Sequence, residues 1–307
     1  MNQLTTLLVP LDGSDLSEKA LPAAGRIAER LGSRVVLVRA AEAHVPPGSD
    51  PSEQEIVVVR DAEAYLANVL SLVGDTCTPV VTAVPYGRPV PSILMEIGIH
   101  QAGLVIMSTH GRGGLSQLVL GSVAASLLES SPVPILLLPG GAQFEMPRSE
   151  HLQIIVALDG SALARSVIPD ALALLGERGG TITLVRVLVP PPARVIGTNQ
   201  TGEDDPAETR AALAELSDVK KEIASGHIDV NLHVARGEPA IALSAVAQEI
   251  GAHVIALATH GRSGIGRLLL GSVAEQLIRS AKLPILIRGP IPGDEEPGGK
   301  VPSLPLF

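Results

Sequence analysis

Aromatic side chains are almost absent from this sequence. Its 307 residues include no tryptophan, two tyrosines and two phenylalanines, although hydrophobic residues make up 46% of the chain. The cores must therefore be built from valine, isoleucine, leucine and alanine. Runs of aliphatic, β-branched residues are typical of strands that are covered on both faces, as in parallel sheets.

Cysteine and clustered positive charge are scarce too. The single cysteine, Cys77, excludes an intramolecular disulfide and a cysteine-based metal site, and it fits a reducing compartment. The 23 basic residues are outnumbered by 32 acidic ones, and no long basic run occurs. Because nucleic-acid binding depends on neutralising phosphates, the composition disfavours nucleic acid as a partner.

Long apolar runs are also missing. No stretch reaches the roughly 18 apolar residues that a membrane helix requires. The opening segment, MNQLTTLLVPLDGS, lacks the basic segment and the long apolar stretch of a signal peptide. We therefore expect a soluble, cytoplasmic protein without a membrane partner.

The chain does contain a duplication. STHGRGGLSQLVLGSVA (108–124) returns as ATHGRSGIGRLLLGSVA (258–274), and LLVPLDGS (7–14) returns as IIVALDGS (154–161). Two copies of a unit of about 150 residues predict tandem domains, since solenoid repeats are only about 20–50 residues long. The predicted boundaries are a first domain at 1–140, a linker at 141–151, a second domain at 152–288 and a disordered, Pro- and Gly-rich tail at 289–307.

Each copy alternates strand and helix. In the first copy the predicted strands are Leu4–Pro10, Arg34–Ala40, Val80–Pro85, Leu104–Ser108 and Val133–Leu138. The predicted helices between them are Ser17–Leu31, Ser52–Val73, Pro89–Gln101 and Gly121–Ser130. This alternation predicts an α/β fold of two tandem doubly wound domains, each a five-stranded parallel sheet with helices on both faces.

The repeated motifs fall where such a fold binds ligands, beyond the carboxyl ends of the strands. LDGS follows the first strand, RA or RV ends the second, and THGR follows the fourth and leads to GSVA at a helix start. Free N–H groups and the positive end of the helix dipole suit a phosphate there. The sequence therefore predicts phosphate binding at Gly121-Ser122 and Gly271-Ser272, although it has neither a Walker loop nor GxGxxG.

With these motifs, each copy resembles a universal stress protein domain, whose fold is adenine nucleotide alpha hydrolase-like. Nucleotide-binding members of that family carry G-x2-G-x9-G-[ST] after the fourth strand, and the segments 108–122 and 258–272 match it. The resemblance covers nearly all of the chain except the linker and the tail. It implies that the ligand is ATP, with or without Mg²⁺.

The resemblance also implies which residues bind the nucleotide. The family's adenosine-contacting aspartate matches Asp12 and Asp159, and the residue whose backbone meets adenine matches Ala40 and Val187. In the first half the phosphate loop and helix start match Ser108, Gly111, Arg112, Gly121, Ser122 and Val123. In the second half they match Ala258, Gly261, Arg262, Gly271, Ser272 and Val273.

One position departs from the family pattern, because the first motif glycine is Ser108 in one copy and Ala258 in the other. If the position needs a positive φ, a side chain there costs roughly 1 kcal/mol or more. If it needs only a small residue near the ribose, serine and alanine both fit. The sequence leaves both readings open.

Simpler roles compete with the ligand roles. Asp12 and Asp159 could be helix caps and turn formers. His110 and His260 have no accompanying ligand set, so we expect them to order their turns rather than to bind a metal.

The arginines after the motif glycines either steer a phosphate or are solvated. The second half offers Arg262 and Arg267 where the first offers Arg112 and Gln117. From this difference in charge alone, we expect the second half to bind ATP more tightly.

No base, nucleophile or metal-ligand set can be identified in either half, so we expect no catalytic and no metal-binding residue. This favours a regulatory protein of the stress response that binds nucleotide and is not an enzyme. One alternative is an enzyme that hydrolyses ATP or adenylylates. Another is a duplicate that binds nothing and acts through protein–protein contacts.

The duplication itself fits the dimerisation that the resemblance implies. Fusing two copies would make their pairing intramolecular, at high effective concentration. We expect Val133–Leu138 to pair with Pro284–Arg288 and to form a pseudo-dimer, which would protect both sheet edges. A homodimer of the tandem chain is a further expected partner state.

Overall fold

The structure is a computed structural model that describes residues 4–43, 51–73, 78–109, 120–139, 151–190, 206–223, 227–259 and 271–289. The first half contains, in chain order, β1 (Thr6–Pro10), α1 (Asp15–Glu18), α2 (Ala20–Leu31), β2 (Arg34–Val38), α3 (Pro51–Val73), β3 (Val80–Ala83), α4 (Pro89–His100), β4 (Leu104–Ser108), α5 (Ser122–Ser130) and β5 (Ile135–Leu138). The second half contains β6 (Leu152–Leu158), α6 (Ala162–Arg165), α7 (Ile168–Leu175), β7 (Gly180–Leu188), α8 (Pro206–Ile223), β8 (Ile228–Arg236), α9 (Pro239–Ile250), β9 (Val254–Ala258), α10 (Ser272–Ser280) and β10 (Ile285–Arg288).

Within the described ranges, the strands form one ten-stranded sheet in the order β3-β2-β1-β4-β5-β10-β9-β6-β7-β8. Strands are parallel within each half, while β5 and β10 pair antiparallel with Leu136 opposite Leu286. The predicted α/β fold is confirmed, and the expected pairing of the last strands is present. The two five-stranded parts are therefore joined edge to edge.

The central strands are buried on both faces, as their aliphatic composition predicts. Every residue of β1 and β4 is buried. One core lies on each face of the sheet, and each core includes residues of both halves. Leu136 and Leu286 belong to one core, and Leu137 and Ile285 belong to the other. The two halves thus share both cores at the β5–β10 pair.

The single helix predicted at Ser17–Leu31 is wrong. Instead, α1 ends at Glu18 and α2 begins at Ala20. Pro22 explains the break, because proline has no N–H to bond the carbonyl four residues earlier. The second half breaks in the same way between α6 and α7, with Pro169 in the first turn of α7. The short helix after each LDGS turn is therefore a feature of both halves.

The ends of α2 and α7 bring the two halves into contact. The Arg30 guanidinium donates to the carbonyl oxygen of Leu175, with a distance of 3.2 Å from Nε, and also to that of Gly179. A Cβ added to Gly176 would stand 2.6 Å from Cδ2 of Leu31. These contacts satisfy carbonyls at the end of α7 and leave no space there for a larger residue.

Candidate functional site

A cavity of about 680 Å³ opens at the carboxyl ends of β1, β2 and β4 in the first half. Its size falls within the roughly 300–1,000 Å³ that is usual for small-molecule sites. Parallel strands end at the same edge of the sheet, so residues far apart in sequence meet there. Six residues predicted for this half line the cavity: Asp12, Ala40, Ser108, Gly121, Ser122 and Val123.

Asp12 both forms a turn and lines the cavity. Its Oδ1 accepts hydrogen bonds from the backbone N–H of Ser14 at 2.9 Å and from the Ser14 hydroxyl at 2.6 Å. Ser14 in turn caps α1, since its Oγ accepts from the N–H of Ser17 at 3.2 Å. The turn-forming role and the position beside the cavity therefore occur together, and the turn fixes the direction of the carboxylate.

The departure from the motif at Ser108 causes no backbone strain. Ser108 and Ala258 are the last residues of β4 and β9, in extended conformation, and pair with Leu138 and Arg288. Among the described residues other than glycine, only Gln101 has a positive φ. The cost considered for a side chain at this position does not arise, because the backbone there does not need a positive φ.

The start of α5 forms the opposite wall of the cavity. The N–H of Gly121 donates to the carbonyl of Thr109 at 2.9 Å, which joins the helix start to the end of β4. Gly121 is the N-cap residue and provides no side-chain cap. The first N–H groups of a helix lack partners within the helix. Ser122, Val123 and Ala124 carry such groups and line the cavity, so an anion is favoured at this end.

Helix α3 closes the cavity and contributes residues that the sequence analysis missed. It covers the sheet with Ala62, Leu66 and Val69, and it also lines the cavity with Val58 and Asp61. Glu42, just beyond β2, is another lining residue that was not anticipated. No motif marks these positions, because the amphipathic pattern of α3 predicts only that the helix covers the sheet.

Arg39, in the cavity wall, is held against α3 by an aromatic contact. Its guanidinium carbon lies 4.3 Å from the ring centroid of Tyr65. The Tyr65 hydroxyl donates to Oε1 of Glu18 at 2.8 Å. Burial and the Glu18 carboxylate both raise the pKa of Tyr65, so the hydroxyl stays protonated and keeps its role as donor. Glu18, Tyr65 and Arg39 thus form a chain of contacts along one side of the cavity.

The corresponding turn of the second half is more exposed. Oδ1 of Asp159 accepts from the N–H of Ser161 at 2.9 Å, as Asp12 does from Ser14. Burial raises the pKa of Asp159, but hydrogen bonds from Ser161 and the charge of Arg186 lower it more, to a value below its ordinary one. The predicted residues Val187 and Ala258 are half-buried at the ends of their strands.

Arg186 lies against the turn after β6. A Cβ on Gly160 would stand 2.8 Å from Nη1 and 3.4 Å from Nη2 of Arg186, and 3.4 Å from Oε2 of Glu215 on α8. Nη1 is buried and has no hydrogen-bond partner among the residues that the structure describes. Arg39 thus lies in the cavity wall against Tyr65 in the first half, while the matching Arg186 lies against the Gly160 turn in the second.

The N-cap glycines of α5 and α10 also differ. Gly121 has φ −61°, which any residue can adopt, while Gly271 has φ +74°. Ser272 and Val273 follow in the first turn of α10, as Ser122 and Val123 do in α5. A positive φ is therefore required at one of the two predicted phosphate-binding glycines only.

Several predicted positions lie outside the described residues. They are His110, Gly111, Arg112, Gln117, His260, Gly261, Arg262 and Arg267, together with nearly all of the predicted linker and tail. In the part of the chain that is described, no group of three or more His, Cys, Asp or Glu side chains could hold a metal ion. No described helix is both long and apolar enough to cross a membrane.

Comparisons with known proteins agree with the fold and the duplication. The model of the universal stress protein family matches twice, at residues 4–139 and 151–288. A universal stress protein of Mycobacterium tuberculosis is 25% identical over 264 residues, covering 82% of this chain and 85% of the relative. One from Thermus aquaticus is 32% identical over 134 residues, which is 43% of this chain and 96% of the relative.

Solved structures give the same result for the whole chain. A universal stress protein from Archaeoglobus fulgidus superimposes with a TM-score of 0.72 at 21% identity, covering 94% of this chain and 99% of the other. A putative universal stress protein from Pseudomonas aeruginosa superimposes with a TM-score of 0.61 at 20% identity, covering 94% of each chain. The likeness at this level of identity concerns the fold.

Proposed function

Because this chain belongs to the universal stress protein family, we propose that it binds an adenine nucleotide, ATP, in the cavity of its first half and acts as a regulatory protein rather than an enzyme. The observation that carries the proposal is the convergence of six motif residues on one cavity of suitable size. The repeated motifs and the family resemblance both predict these residues from the sequence. Their meeting at one sheet edge supports a common ligand.

The charges around the cavity favour one orientation of the nucleotide. Asp12 follows β1, Glu42 follows β2 and Asp61 lies on α3, while the start of α5 follows β4. A triphosphate is repelled by the carboxylates and attracted by the helix N-terminus. The phosphates therefore lie at Gly121 and Ser122, and the adenosine lies between Asp12 and Ala40.

Mg²⁺ would enter this site on the phosphates of ATP. The described residues offer no cluster that would hold the ion by itself. Magnesium commonly binds through substrate phosphates with only one or two protein carboxylates. The chain's own contribution is to bind and orient the nucleotide, and occupancy of the cavity is the regulatory signal.

We also propose that the two halves act as a fused dimer in the cytoplasm. The strand order is symmetric about the antiparallel β5–β10 pair, which supports a two-fold relation between the halves. A homodimer of the whole chain would then be a second level of assembly, which sedimentation of the purified protein can detect.

The test is calorimetric titration of the purified full chain with ATP, AMP and, as a non-adenine control, GTP. We expect saturable binding of ATP that Asp12→Ala weakens at least tenfold. Asp15→Ala is the matched control, because Asp15 is an exposed carboxylate on the same turn that does not line the cavity. The proposal is wrong if ATP fails to bind to the folded wild-type chain, or if both aspartate variants lose affinity equally.

A further inference from the structure

Resting on the proposed function, we propose that the chain binds a single nucleotide, and that Arg186 is the residue that closes the equivalent position in the second half. The arginine occupies the space between the turn after β6 and α8. In the first half, the corresponding space between the turn after β1 and α3 is lined by Asp12, Asp61 and Ala62 and is part of the cavity. The two halves have therefore divided their roles, one binding ligand and the other completing the sheet.

Arg186 and Arg39 occupy matching positions in the two halves. Each arginine follows the apolar run of the second strand in its half, in LVRA and LVRV. In the first half, the Tyr65 ring holds the guanidinium against α3, at 4.3 Å from its centroid. Tyr65 is itself held by Glu18. These contacts keep Arg39 in the cavity wall and leave the space beside Asp12 open.

The second half has neither a tyrosine matching Tyr65 nor a glutamate matching Glu18. Helices α3 and α8 bury the same pattern, with Ala62 and Leu66 matching Ala212 and Leu216. This register places Glu215 of α8 at the position of Tyr65. Glu18 is replaced by a basic residue in the matching LDGS segment: Arg165, which pairs instead with Glu222 at 4.0 Å.

Without these two residues, the Arg186 side chain lies against the turn after β6. Its guanidinium nitrogens lie 2.8 and 3.4 Å from a Cβ position on Gly160, and the Glu215 carboxylate reaches the same place at 3.4 Å. The positive charge is close enough to Asp159 to lower the pKa of that carboxyl. Arg186 thus lies at the turn, between α8 and the aspartate that matches Asp12, with opposite charges near it on both sides.

Two further substitutions separate the halves in the same direction. The register of α3 and α8 places Ala211 where the cavity has Asp61, and Val189 follows β7 where Glu42 follows β2. Two of the three carboxylates at the adenosine end of the cavity, Glu42 and Asp61, therefore have no counterpart, and only Asp12 has one, in Asp159. A single site in the first half is the opposite of what the charges of Arg262 and Arg267 predict, namely tighter ATP binding by the second half. Positive charge at the phosphate end does not produce binding if the adenosine of ATP has no space.

The experiment counts bound ATP per chain by calorimetry. We expect one ATP for the wild type, two for Arg186→Ala, none for Gly121→Val, and one for the double variant Gly121→Val/Arg186→Ala. Lys221→Ala is the control, since it removes an equal charge from an exposed site on α8. The buried Nη1 of Arg186 has no acceptor among the described residues, and such a group is destabilising. Because Arg186→Ala removes it, the variant should have the melting temperature and the circular dichroism spectrum of the wild type.

The possible outcomes separate the two proposals. Two nucleotides on the wild type, or one on a folded Arg186→Ala, would overturn the role of Arg186 and leave nucleotide binding intact. A second site in Lys221→Ala as well would show a general charge effect and would also overturn it. No binding in either the wild type or Arg186→Ala would contradict the proposed function itself. If Arg186→Ala does not fold, two other variants test the same role. Arg186→Gln keeps most of the side-chain volume and should bind one ATP per chain. Glu215→Tyr provides the aromatic ring that holds Arg39 in the first half, and it should bind two.

Discussion

Arg288 on β10 and Asp170 on α7 form a buried, two-pronged ion pair. Nε of Arg288 donates to Oδ2 of Asp170 at 2.6 Å, and Nη2 donates to Oδ1. Nη1 also lies 3.5 Å from the carbonyl oxygen of Pro132 in the first half. The pair thus stands where the two halves meet. The first half has an apolar combination at the matching positions, Ala23 after Pro22 and Leu138 at the end of PILLL.

We predict that Arg288→Leu alone lowers the free energy of unfolding by roughly 3–5 kcal/mol, because it leaves the Asp170 carboxylate buried and unpaired. Asp170→Ala/Arg288→Leu reproduces the combination of the first half and should recover most of that loss. Urea denaturation of the single and double variants measures both values. Equal stability of the single and double variants would contradict this account of the pair.

His253 makes stability depend on pH. Burial lowers the pKa of His253, and the neighbouring His151 lowers it further. Its Nδ1 accepts a hydrogen bond from the N–H of Gln153 at 2.9 Å. The unfolded chain therefore binds a proton near pH 6.5, the ordinary value, while the folded chain binds it only at lower pH. A group of this kind contributes stability that is present above pH 6.5 and is lost as the pH falls through its folded pKa.

We therefore predict that the wild type loses stability between pH 7 and pH 5.5 and that His253→Gln loses less over the same interval. Urea denaturation at the two pH values gives the difference. His227→Gln is the control, because His227 is exposed in the same half of the chain. The prediction is wrong if the two histidine variants show the same dependence on pH.

The two N-cap glycines should respond differently to the same substitution. Gly271 has φ +74° with nothing within 4 Å of an added Cβ, so backbone conformation alone opposes a side chain there. Gly271→Ala should cost roughly 1–2 kcal/mol of stability. Gly121→Ala, at φ −61°, should leave stability nearly unchanged. Thermal denaturation of both variants measures the difference. An equal shift in their two melting temperatures would contradict the prediction that only Gly271 depends on a positive φ.

We predict little or no steady-state ATP hydrolysis by the purified chain. Asp12, the carboxylate at the adenosine end, is engaged by the N–H and hydroxyl of Ser14. It follows β1, whereas the helix start where the phosphates are expected follows β4. Phosphate release measured with and without Mg²⁺ checks this. A robust rate that Asp12→Ala abolishes would require an enzymatic role.

The sequence was sufficient for the order of the strands along the chain and for the location of the candidate site at their carboxyl ends. Its repeated motifs follow strand ends, and parallel strands necessarily bring those ends to one edge. Asp12, Ala40, Ser108 and Gly121 could therefore be placed together without coordinates. The break between α1 and α2 was missed, although Pro22 signals it in the sequence.

The tertiary structure alone decided how the two copies differ. Arg39 and Arg186 end the same repeated strand, and nothing local distinguishes them. Their surroundings differ because α3 brings Tyr65 against Arg39, while α8 brings Glu215 to the Gly160 turn where Arg186 lies. Local sequence determines which backbone conformation forms, since turns, caps and strand burial act over a few residues. The direction of a long charged side chain depends on partners that only packing brings within a few ångströms, where aromatic and ionic contacts act.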